Sequence, residues 1–337
     1  MDREEKIDYS LAICAYNPDE RILTRCLNAI LQLDVSGITT EVLLIDNNSS
    51  TPLDSLPYIR AYQEKIPGMK ILSEPRQGQT FARFTAAEQS QGGHIIFFDT
   101  DNEPAHNYLQ EVHRLIQQYP QVAAWGPGNV NVDFIDGVAP DIANIAKIAF
   151  QHREEQQVSF ASEKEWQPCY PYGTGLCIKA AVLKEYMQLV QEGHFTLTGR
   201  KGKKLSSGED TQMIMLCIRK GYAAGVAPAL RLTHIISGSR ANRKYLNRLF
   251  YGTAVCYETC LLQVFPERKE ALEQKAISSS KFIRRSVKKL IKAKWSRHPQ
   301  PMFDYIQFLA MNTGVYTALQ RPVPRPVSLI LKYLEIE

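Results

Sequence analysis

Two aspartates separated by one residue are the sharpest chemical feature of the sequence. Asp99 and Asp101 follow directly on the apolar run His94–Phe98, which predicts a buried strand. Two carboxylates at this spacing can hold a hard divalent cation together with phosphate oxygens. Such a cation would stabilise the charge on a departing diphosphate. Aspartates are also common where a strand runs into a loop, so a capped turn is the competing interpretation.

Other polar residues are candidates for binding or catalysis. Tyr16 offers a ring on which a base can stack, and the run Asp46–Ser50 can hydrogen-bond a base or ribose, although such a run also forms turns and caps. Asp210 stands beside Glu209 at a predicted helix start, where it is either a cap or a general base. His234 ends a predicted strand, where a structural role is the alternative to ligation.

Hydrophobic periodicity predicts the strands and helices that carry these residues. Over the first 125 residues, short apolar runs alternate with longer helical patterns, which predicts βαβ units and a mostly parallel sheet. Ligands bind at the carboxyl edge of such a sheet. The residues expected together at that edge are Tyr16, Asn17, Asp46, Arg76, Asp99 and Asp101. Farther along, the pattern predicts a helix over 140–158 and two strands, 223–227 and 229–233.

Composition excludes several classes of protein. The 337 residues are 44% hydrophobic and 22% charged, which is typical of a globular protein. No apolar run is long enough to span a membrane and the N-terminus has no signal-peptide pattern, so we expect a cytoplasmic protein. The seven cysteines lack metal-type spacing and predict reduced thiols. The sequence also lacks His-Glu-x-x-His and Gly-x-Ser-x-Gly motifs, which disfavours zinc enzymes and hydrolases.

The ordered set of segments between Tyr9 and Tyr251 resembles glycosyltransferase family 2. The resemblance implies inverting enzymes with an α/β fold of the GT-A type, in which helices flank a mostly parallel central sheet. In the family's order, the matching segments are Ala15–Asn17, Leu44–Ser50, Gln77–Arg83, Phe97–Asp101, Tyr172–Gly175 with Lys179, Ser207–Asp210, and Ala227-Pro228 followed by His234. Lys179 departs from the pattern, because many members have Arg there.

The resemblance implies a role for each candidate residue. Asp99 would face the ribose, Asp101 would hold Mg²⁺ or Mn²⁺, and His234 would lie near the diphosphate and the metal. Asp210 would be the catalytic base. The residues expected to bind the nucleotide sugar are Tyr16, Asn17, Asp46, Asn48, Arg76, Arg83, Asp99 and Asp101. Those expected on the acceptor side are Gly173, Thr174, Gly175 and Glu209. The charged loop 200–204 is a candidate lid.

The implied reaction moves a sugar from a nucleotide-diphosphate sugar, with UDP favoured, to a hydroxyl of a glycan or lipid-linked saccharide. A place in cell-surface polysaccharide biosynthesis is expected. Asp210 would deprotonate the acceptor while the cation stabilises the leaving diphosphate. One alternative is a sugar-1-phosphate nucleotidyltransferase, although Tyr16–Glu20 stand where that family has a Gly-rich loop. The other is a non-catalytic sugar- or membrane-binding protein, which the intact Asp99, Asp101 and Asp210 disfavour.

Charge separates the C-terminal part from the rest of the chain. From Arg240 onward there are 18 Lys and Arg against 7 Asp and Glu, compared with 22 against 28 before it. We predict a catalytic domain over 1–239, with a nucleotide-binding half to about residue 125 and an acceptor-side half from 126. A basic helical region over 240–337 would follow.

Within that region, 278–297 predicts a helix with eight cations and no acid. Its predicted apolar stripe is Ile283, Val287, Leu290, Ile291 and Trp295. The stripe would either lie on an anionic membrane, at the inner face of the cell membrane, or pack on the catalytic domain. Nucleic-acid binding is not expected, because stacking aromatics are not interleaved with the charges.

Overall fold

The computed structural model describes residues 6–197, 199–200, 205 and 207–336, so positions 201–204 of the expected lid lie outside the described residues. The strands are β1 Tyr9–Ala15, β2 Thr40–Asp46, β3 Met69–Ser73, β4 His94–Asp99, β5 Asn102–Pro104, β6 Val122–Phe134, β7 Arg153–Glu154, β8 Ser159–Ala161, β9 Leu176–Lys179 and β10 Ala223–Ile236. The helices are α1 Glu20–Leu31, α2 Pro57–Lys65, α3 Gln79–Gln89, α4 Tyr108–Gln118, α5 Ala143–Ala149, α6 Ala180–Gln191, α7 Glu209–Arg219, α8 Arg243–Val255, α9 Tyr257–Val264, α10 Lys269–Lys275, α11 Ser279–Trp295, α12 Gln300–Ala318 and α13 Arg325–Tyr333.

The chain forms two compact units, each assembled from discontinuous segments. The first comprises Met1–Asp133, Gln151–His194 and Met213–Ile235. The second comprises Phe134–Phe150, Phe195–Gln212 and Ile236–Glu337. The expected domain boundary at residue 239 stays a prediction, because neither unit is one continuous stretch of chain.

A single sheet organises the first unit. Its strands lie in the order β3-β2-β1-β4-β9-β6-β10-β5, with β7 beside β6 and β8 beside β10. The pairs β3-β2, β2-β1 and β1-β4 are parallel, whereas β4-β9, β9-β6 and β10-β5 are antiparallel. The α/β class is thus confirmed, with parallel pairing among β3, β2, β1 and β4. Leu43, Leu44 and Ile45 of β2 are fully buried, as expected of a parallel strand covered on both faces.

The middle of the chain differs from two local predictions. The predicted helix over 140–158 was wrong beyond α5, because Gln151 takes a left-handed φ of 67° and Arg153 then pairs with Val130 of β6. The two predicted strands near Pro228 are one strand, β10. Gly128 explains part of this continuity, since a Cβ there would lie 2.6 Å from the Ala227 carbonyl carbon, so only glycine permits the close approach.

The second unit has its own helical core. Phe282 of α11 is buried with Tyr305, Ile306 and Leu309 of α12 and Val327 of α13. The prediction of a helical C-terminal region is confirmed. No helix in the described part of the chain combines the length and the hydropathy needed to cross a membrane. All seven cysteines fall within the described residues and are free thiols.

The prediction that the apolar residues of α11 form one face was wrong. Ile283 and Leu290 are half-buried against the helical core, whereas Val287, Ile291 and Trp295 are exposed. The periodicity of the helix could not separate these two groups, because Phe282, Ser286 and Ala293 define the buried side and only one of them is a large apolar residue.

Candidate functional site

The loops that follow β1 and β2 are joined by hydrogen bonds at the carboxyl edge of the sheet. The backbone N–H of Asn17 donates to Ser49 Oγ at 3.0 Å, and the N–H of Ser50 donates to Asn17 Oδ1 at 2.8 Å. Asn17 has a left-handed φ of 43°, which Asn tolerates better than most residues. Tyr16 beside it is 49% exposed. The structure therefore brings the first two predicted segments together and leaves the Tyr16 ring accessible for stacking.

Asp46 holds its own loop. Its Oδ1 accepts from the N–H of Ser49 and its Oδ2 from the N–H of Leu53, each at 2.9 Å. This is the capping role that the sequence left open as the alternative. Each carboxylate oxygen has a further lone pair, so the bonds do not consume the acceptor capacity of Asp46. Asn48 follows in the same loop with a left-handed φ of 63°.

Asn47 connects this loop to the loop after β3, a role that the sequence analysis missed. Its Nδ2 donates to the Arg76 carbonyl at 2.8 Å and to the Glu74 carbonyl at 3.3 Å. Its Oδ1 accepts from the N–H of Gly78 at 2.8 Å. The side chain is buried. Nothing in the spacing of the sequence distinguishes Asn47 from Asn48, because the distinction depends on which one faces β3.

Arg76 is fixed by Glu74, another residue that the sequence analysis missed. The guanidinium donates to both Glu74 oxygens, from Nε at 2.8 Å and from Nη2 at 2.7 Å. The hydrogen bonds from Arg76, joined by one from Thr85, lower the pKa of Glu74 to about 2. The Arg76 side chain is 57% exposed and lies 4.8 Å from the centroid of the Phe81 ring. The charge is thus held in place while remaining accessible.

Arg83 lies deeper than Arg76. It is buried in α3, with its Cζ 5.2 Å from the centroid of Phe97 in β4. Burial raises the pKa of the Cys14 thiol to about 12, and the positive charge of Arg83 opposes that rise. Arg83 therefore contributes positive charge beneath the ends of β1 and β4, a position that differs from the exposed one of Arg76.

Asp99, Asp101 and His234 come together through strand pairing. The N–H of Ile235 donates to the Asp101 carbonyl at 2.8 Å, and β5 pairs with β10 so that His234 opposes Asn102. His234 Nε2 consequently lies 3.3 Å from Asp101 Oδ2, with both side chains largely buried. Gln79 Nε2 lies 3.5 Å from Asp99 Oδ1. The structure therefore supports the predicted grouping of the two aspartates with His234.

Asn102 fixes both aspartates. Its Nδ2 donates to Asp101 Oδ1 at 3.0 Å, and its Oδ1 accepts from the N–H of Asp99 at 3.1 Å. Asn102 is completely buried. An asparagine directly after two aspartates is only a weak signal for this role, since it is also ordinary loop composition.

The donor set fits a divalent cation that is shared with a ligand. The described residues contain no cluster of three or more His, Cys, Asp or Glu side chains that could hold a metal ion by themselves. Asp101 and His234 nevertheless supply one carboxylate and one imidazole at adjacent positions. Mg²⁺ and similar hard cations are commonly held by one or two carboxylates together with substrate phosphates. The two protein donors suit that arrangement.

The predicted acceptor-side segment lies before β9. Gly175 has a φ of 64°, and its carbonyl accepts from the Tyr108 hydroxyl at 2.6 Å. A Cβ on Gly175 would lie 2.7 Å from that hydroxyl oxygen, so glycine is required twice over. Gly173 and Thr174 are buried.

An aromatic pair that the sequence analysis missed precedes this segment. The rings of Trp166 and Tyr172 stack with centroids 5.7 Å apart and planes inclined by 25°. The Arg153 guanidinium covers the Tyr172 ring at 4.8 Å from its centroid. Tyr172 is 37% exposed. The residue types alone gave no signal, because Trp166 and Tyr172 are brought together by the turns between them.

Glu209 and Asp210 begin α7 and are described within the second unit. Glu209 is buried, and its Oε2 accepts from the N–H of Gly208 at 3.0 Å. A Cβ at Gly199 would lie 2.9 Å from the Glu209 carboxyl group. Asp210 is half-buried, and its Oδ1 accepts from the N–H of Thr211 at 2.8 Å. Of the two acids, Asp210 is thus the more accessible.

Two relatives align with parts of this chain. Polypeptide N-acetylgalactosaminyltransferase 14 of Homo sapiens is 28% identical over 126 residues, which is 37% of this chain and 22% of the relative. Glycosyltransferase AglE of Haloferax volcanii is 33% identical over 102 residues, or 30% of this chain and 33% of the relative. The chain therefore spans a third or less of the length of each of these curated relatives.

A solved structure is also similar. The mannosyltransferase PcManGT from Pyrobaculum calidifontis, in complex with GDP-Man and Mn²⁺, superimposes with a TM-score of 0.48 at 16% identity. The likeness covers 98% of this chain and 76% of that chain.

The family match falls on the segment that carries the first loops of the site. The model described as glycosyl transferase family 2 matches residues 10–164 of the 337-residue chain. With the observed sheet, this match confirms the GT-A type of α/β fold. The segment contains the loops of Tyr16, Asp46 and Arg76 and the aspartates Asp99 and Asp101. Residues 10–164 of this protein are therefore similar to glycosyl transferase family 2.

Proposed function

We propose that the protein is an inverting glycosyltransferase that moves a sugar from a nucleotide-diphosphate sugar to a hydroxyl of a saccharide acceptor. A UDP-sugar is the preferred donor, and a glycan or lipid-linked saccharide is the proposed acceptor. The observation that carries the proposal is the Asp101–His234 pair, in which Asp101 Oδ2 lies 3.3 Å from His234 Nε2 of β10 and Asp101 Oδ1 accepts a hydrogen bond from Asn102. This pair supplies the donors that a diphosphate-bound cation requires.

The nucleotide would lie along the carboxyl ends of β1, β2 and β4. The exposed ring of Tyr16 offers a surface for the base, and Asp46 and Asn48 offer polar groups beside it. Asp99 would contact the ribose. This placement follows the general rule that ligands bind where parallel strands end.

The leaving diphosphate would be held by positive charge from this chain. Arg76 is accessible and is held by Glu74, so its side chain would lose little conformational entropy when a ligand binds. Arg83 adds a buried charge near the ends of β1 and β4. A bound Mg²⁺ or Mn²⁺ would supply Lewis-acid stabilisation of the departing diphosphate, with Asp101 and His234 as its protein donors.

Asp210 is the proposed base. An inverting reaction needs one group that takes the proton of the acceptor hydroxyl as that oxygen attacks the anomeric carbon. Asp210 is half-buried and retains an acceptor oxygen, whereas Glu209 is buried and bonded to the N–H of Gly208. Glu209 is therefore proposed to position the first turn of α7, which carries Asp210.

The acceptor saccharide would contact the Trp166–Tyr172 pair. Ligand pockets are commonly lined by aromatic side chains with a few polar groups that set the orientation, and this stacked pair has Arg153 beside it. Gly173, Thr174 and Gly175 would shape the adjoining backbone rather than contact the acceptor through side chains.

The activity is tested by incubating the protein and Mn²⁺ with UDP-, GDP- and dTDP-sugars and a panel of saccharide acceptors. We expect acceptor-dependent release of one nucleoside diphosphate and inversion at the anomeric carbon by NMR. Asp210→Asn should lose release but keep nucleotide binding, whereas Asp101→Ala should lose both. The exposed Asp54, in the short 3-10 helix Leu53–Ser55, gives a matched control in Asp54→Asn, which should retain activity.

Two other functions give different results in the same assay. A sugar-1-phosphate nucleotidyltransferase would release pyrophosphate from a nucleoside triphosphate and a sugar 1-phosphate. A non-catalytic sugar-binding protein would bind a saccharide without releasing a nucleotide. Either result without acceptor-dependent release of a nucleoside diphosphate would contradict the proposal. The cytoplasmic location and the role in cell-surface polysaccharide biosynthesis belong to the same proposal.

A further inference from the structure

Helix α11 is buried on one side and carries an apolar line on the other. Phe282, Ser286 and Ala293 face the helical core of the second unit. Val287, Ile291 and Trp295, spaced four residues apart, are 43%, 53% and 86% exposed. Residues at this spacing lie on one line of a helix. An exposed apolar line that ends in a nearly uncovered tryptophan is unfavourable in water, so this line is a candidate binding surface.

Positive charge surrounds this line. The cations of α11 and the residues after it are Lys281, Arg284, Arg285, Lys288, Lys289, Lys292, Lys294 and Arg297, and all are exposed. The helix contains no acid. Among the residues that the structure describes, none of these eight cations forms a salt bridge with an acid. The charge of this face is therefore not neutralised by the described part of the chain.

The two flanks of α11 are held by its neighbours. On one side, Lys289 Nζ lies 5.1 Å from the centroid of Phe308 in α12. On the other side, Lys294 donates to the Tyr333 hydroxyl of α13 at 2.8 Å. Tyr333 is 63% exposed, which extends the accessible aromatic surface onto α13. The helix is thus fixed with its apolar line outward.

A groove of about 900 Å³ runs beside the line. Arg285, Lys288 and Lys292 line it, together with Ile291 and Trp295. Cationic and apolar groups therefore line one concave surface. Phosphate headgroups match the cations, and acyl chains match the apolar side chains.

We propose that this face of α11 binds the surface of an anionic lipid bilayer. Tryptophan favours the boundary between headgroups and acyl chains, and Lys and Arg are attracted to anionic headgroups while their stems lie along apolar surface. A nucleic acid would match the charges but would leave Val287 and Ile291 without a partner. The proposal goes beyond the transfer reaction and does not depend on it.

Vesicle flotation of the full chain tests the proposal. We expect the protein to float with phosphatidylcholine vesicles that contain phosphatidylglycerol, and to stay behind with phosphatidylcholine alone. Lys288→Glu/Lys292→Glu should reduce partitioning by at least about tenfold, because each basic residue near the surface contributes several-fold. The control Lys184→Glu/Lys269→Glu changes the net charge equally at exposed positions on α6 and α10, and should float like the wild type.

A second pair of measurements separates charge from apolar contact. Ile291→Ser/Trp295→Ala should bind weakly and lose what remains when salt is raised, whereas the wild type should retain part of its binding. Melting temperatures close to that of the wild type establish that these exposed substitutions leave the fold intact. Equal flotation of the charge-reversed protein and its control would overturn the proposal. Absence of flotation by the wild type, or tight binding to an RNA oligonucleotide without binding to vesicles, would overturn it too.

Discussion

The buried amide of Asn102 donates a hydrogen bond to Asp101 Oδ1 at 3.0 Å, and its oxygen accepts one from the N–H of Asp99 at 3.1 Å. One side chain therefore sets the direction of the carboxylate proposed to hold the cation and the backbone of the aspartate proposed to face the ribose. Hydrogen-bond partners of metal ligands commonly orient the ligands and tune their affinity.

Replacement of Asn102 should weaken metal-dependent binding selectively. We expect Asn102→Ala to lower the affinity for Mn²⁺ in the presence of UDP by about 10- to 100-fold, because Asp101 loses its orienting partner. UDP binding measured in EDTA should change much less. Calorimetric titration checks both, with a melting curve as the control for folding. Equal losses with Mn²⁺ and with EDTA would assign Asn102 a general structural role instead.

Replacement of Asn47 should loosen two loops together. Asn47→Ala removes three hydrogen bonds, to Glu74, Arg76 and Gly78, and leaves buried backbone groups without partners. We expect the free energy of unfolding to fall by about 2–4 kcal/mol. The matched control is Asn48→Gly, which keeps the left-handed φ of 63° and should change stability by less than about 1 kcal/mol. Urea denaturation that gave equal losses would contradict the bridging role of Asn47.

The Glu74–Arg76 pair should make stability depend on pH in the acid range. The pKa of Glu74 falls from 4.5 to about 2 in the folded protein, so the ionised carboxylate favours the folded state above pH 4.5. That contribution is lost as the pH falls from 4.5 toward 2. We expect it to be on the order of 2 kcal/mol, less than the full shift implies because Arg76 is solvent-exposed.

Urea denaturation at several pH values between about 3 and about 6 measures this contribution. Glu74→Gln should flatten the acid limb of the stability curve. The control Glu64→Gln, at an exposed position of α2, should leave the limb unchanged. A limb of wild-type steepness in Glu74→Gln would show that other groups carry the acid sensitivity.

Gly175 should be far less tolerant of a side chain than Gly221. Both have positive φ, 64° and 82°, but a Cβ at Gly175 would lie 2.7 Å from the Tyr108 hydroxyl oxygen, whereas nothing lies within 4 Å of one at Gly221. We expect Gly221→Ala to cost about 1 kcal/mol through backbone strain alone, and Gly175→Ala about 2–4 kcal/mol. Thermal unfolding compares them. Equal costs would mean that the close approach to Tyr108 relaxes freely.

The predictions from sequence were strongest where one periodic pattern determines one element. The apolar runs that became β1 to β4 placed Tyr16, Asp46 and Asp99 at strand ends, since burial on both faces leaves little choice for such runs. The basic helix was also located closely, but periodicity could not show that its apolar residues divide between a core and an exposed line.

Residues that act by joining loops could not be predicted from the sequence. Asn47, Glu74 and Asn102 are ordinary polar residues in turns, and their roles depend on strand order and register. The helix expected over 140–158 failed for a related reason, because pairing of Arg153 with β6 overrode local helical preference.

Calorimetric titration of nucleoside diphosphates measures directly whether Asp101 and His234 form a metal-dependent nucleotide site. UDP, GDP and dTDP would each be titrated with Mn²⁺ and with EDTA into the wild type, Asp101→Ala and His234→Ala. We expect that one nucleotide, with UDP favoured, binds the wild type in the presence of Mn²⁺ and loses most of that affinity in EDTA and in both variants. Absence of binding by all three nucleotides, or binding that neither EDTA nor Asp101→Ala weakens, would exclude a metal-dependent nucleotide site at Asp101 and His234.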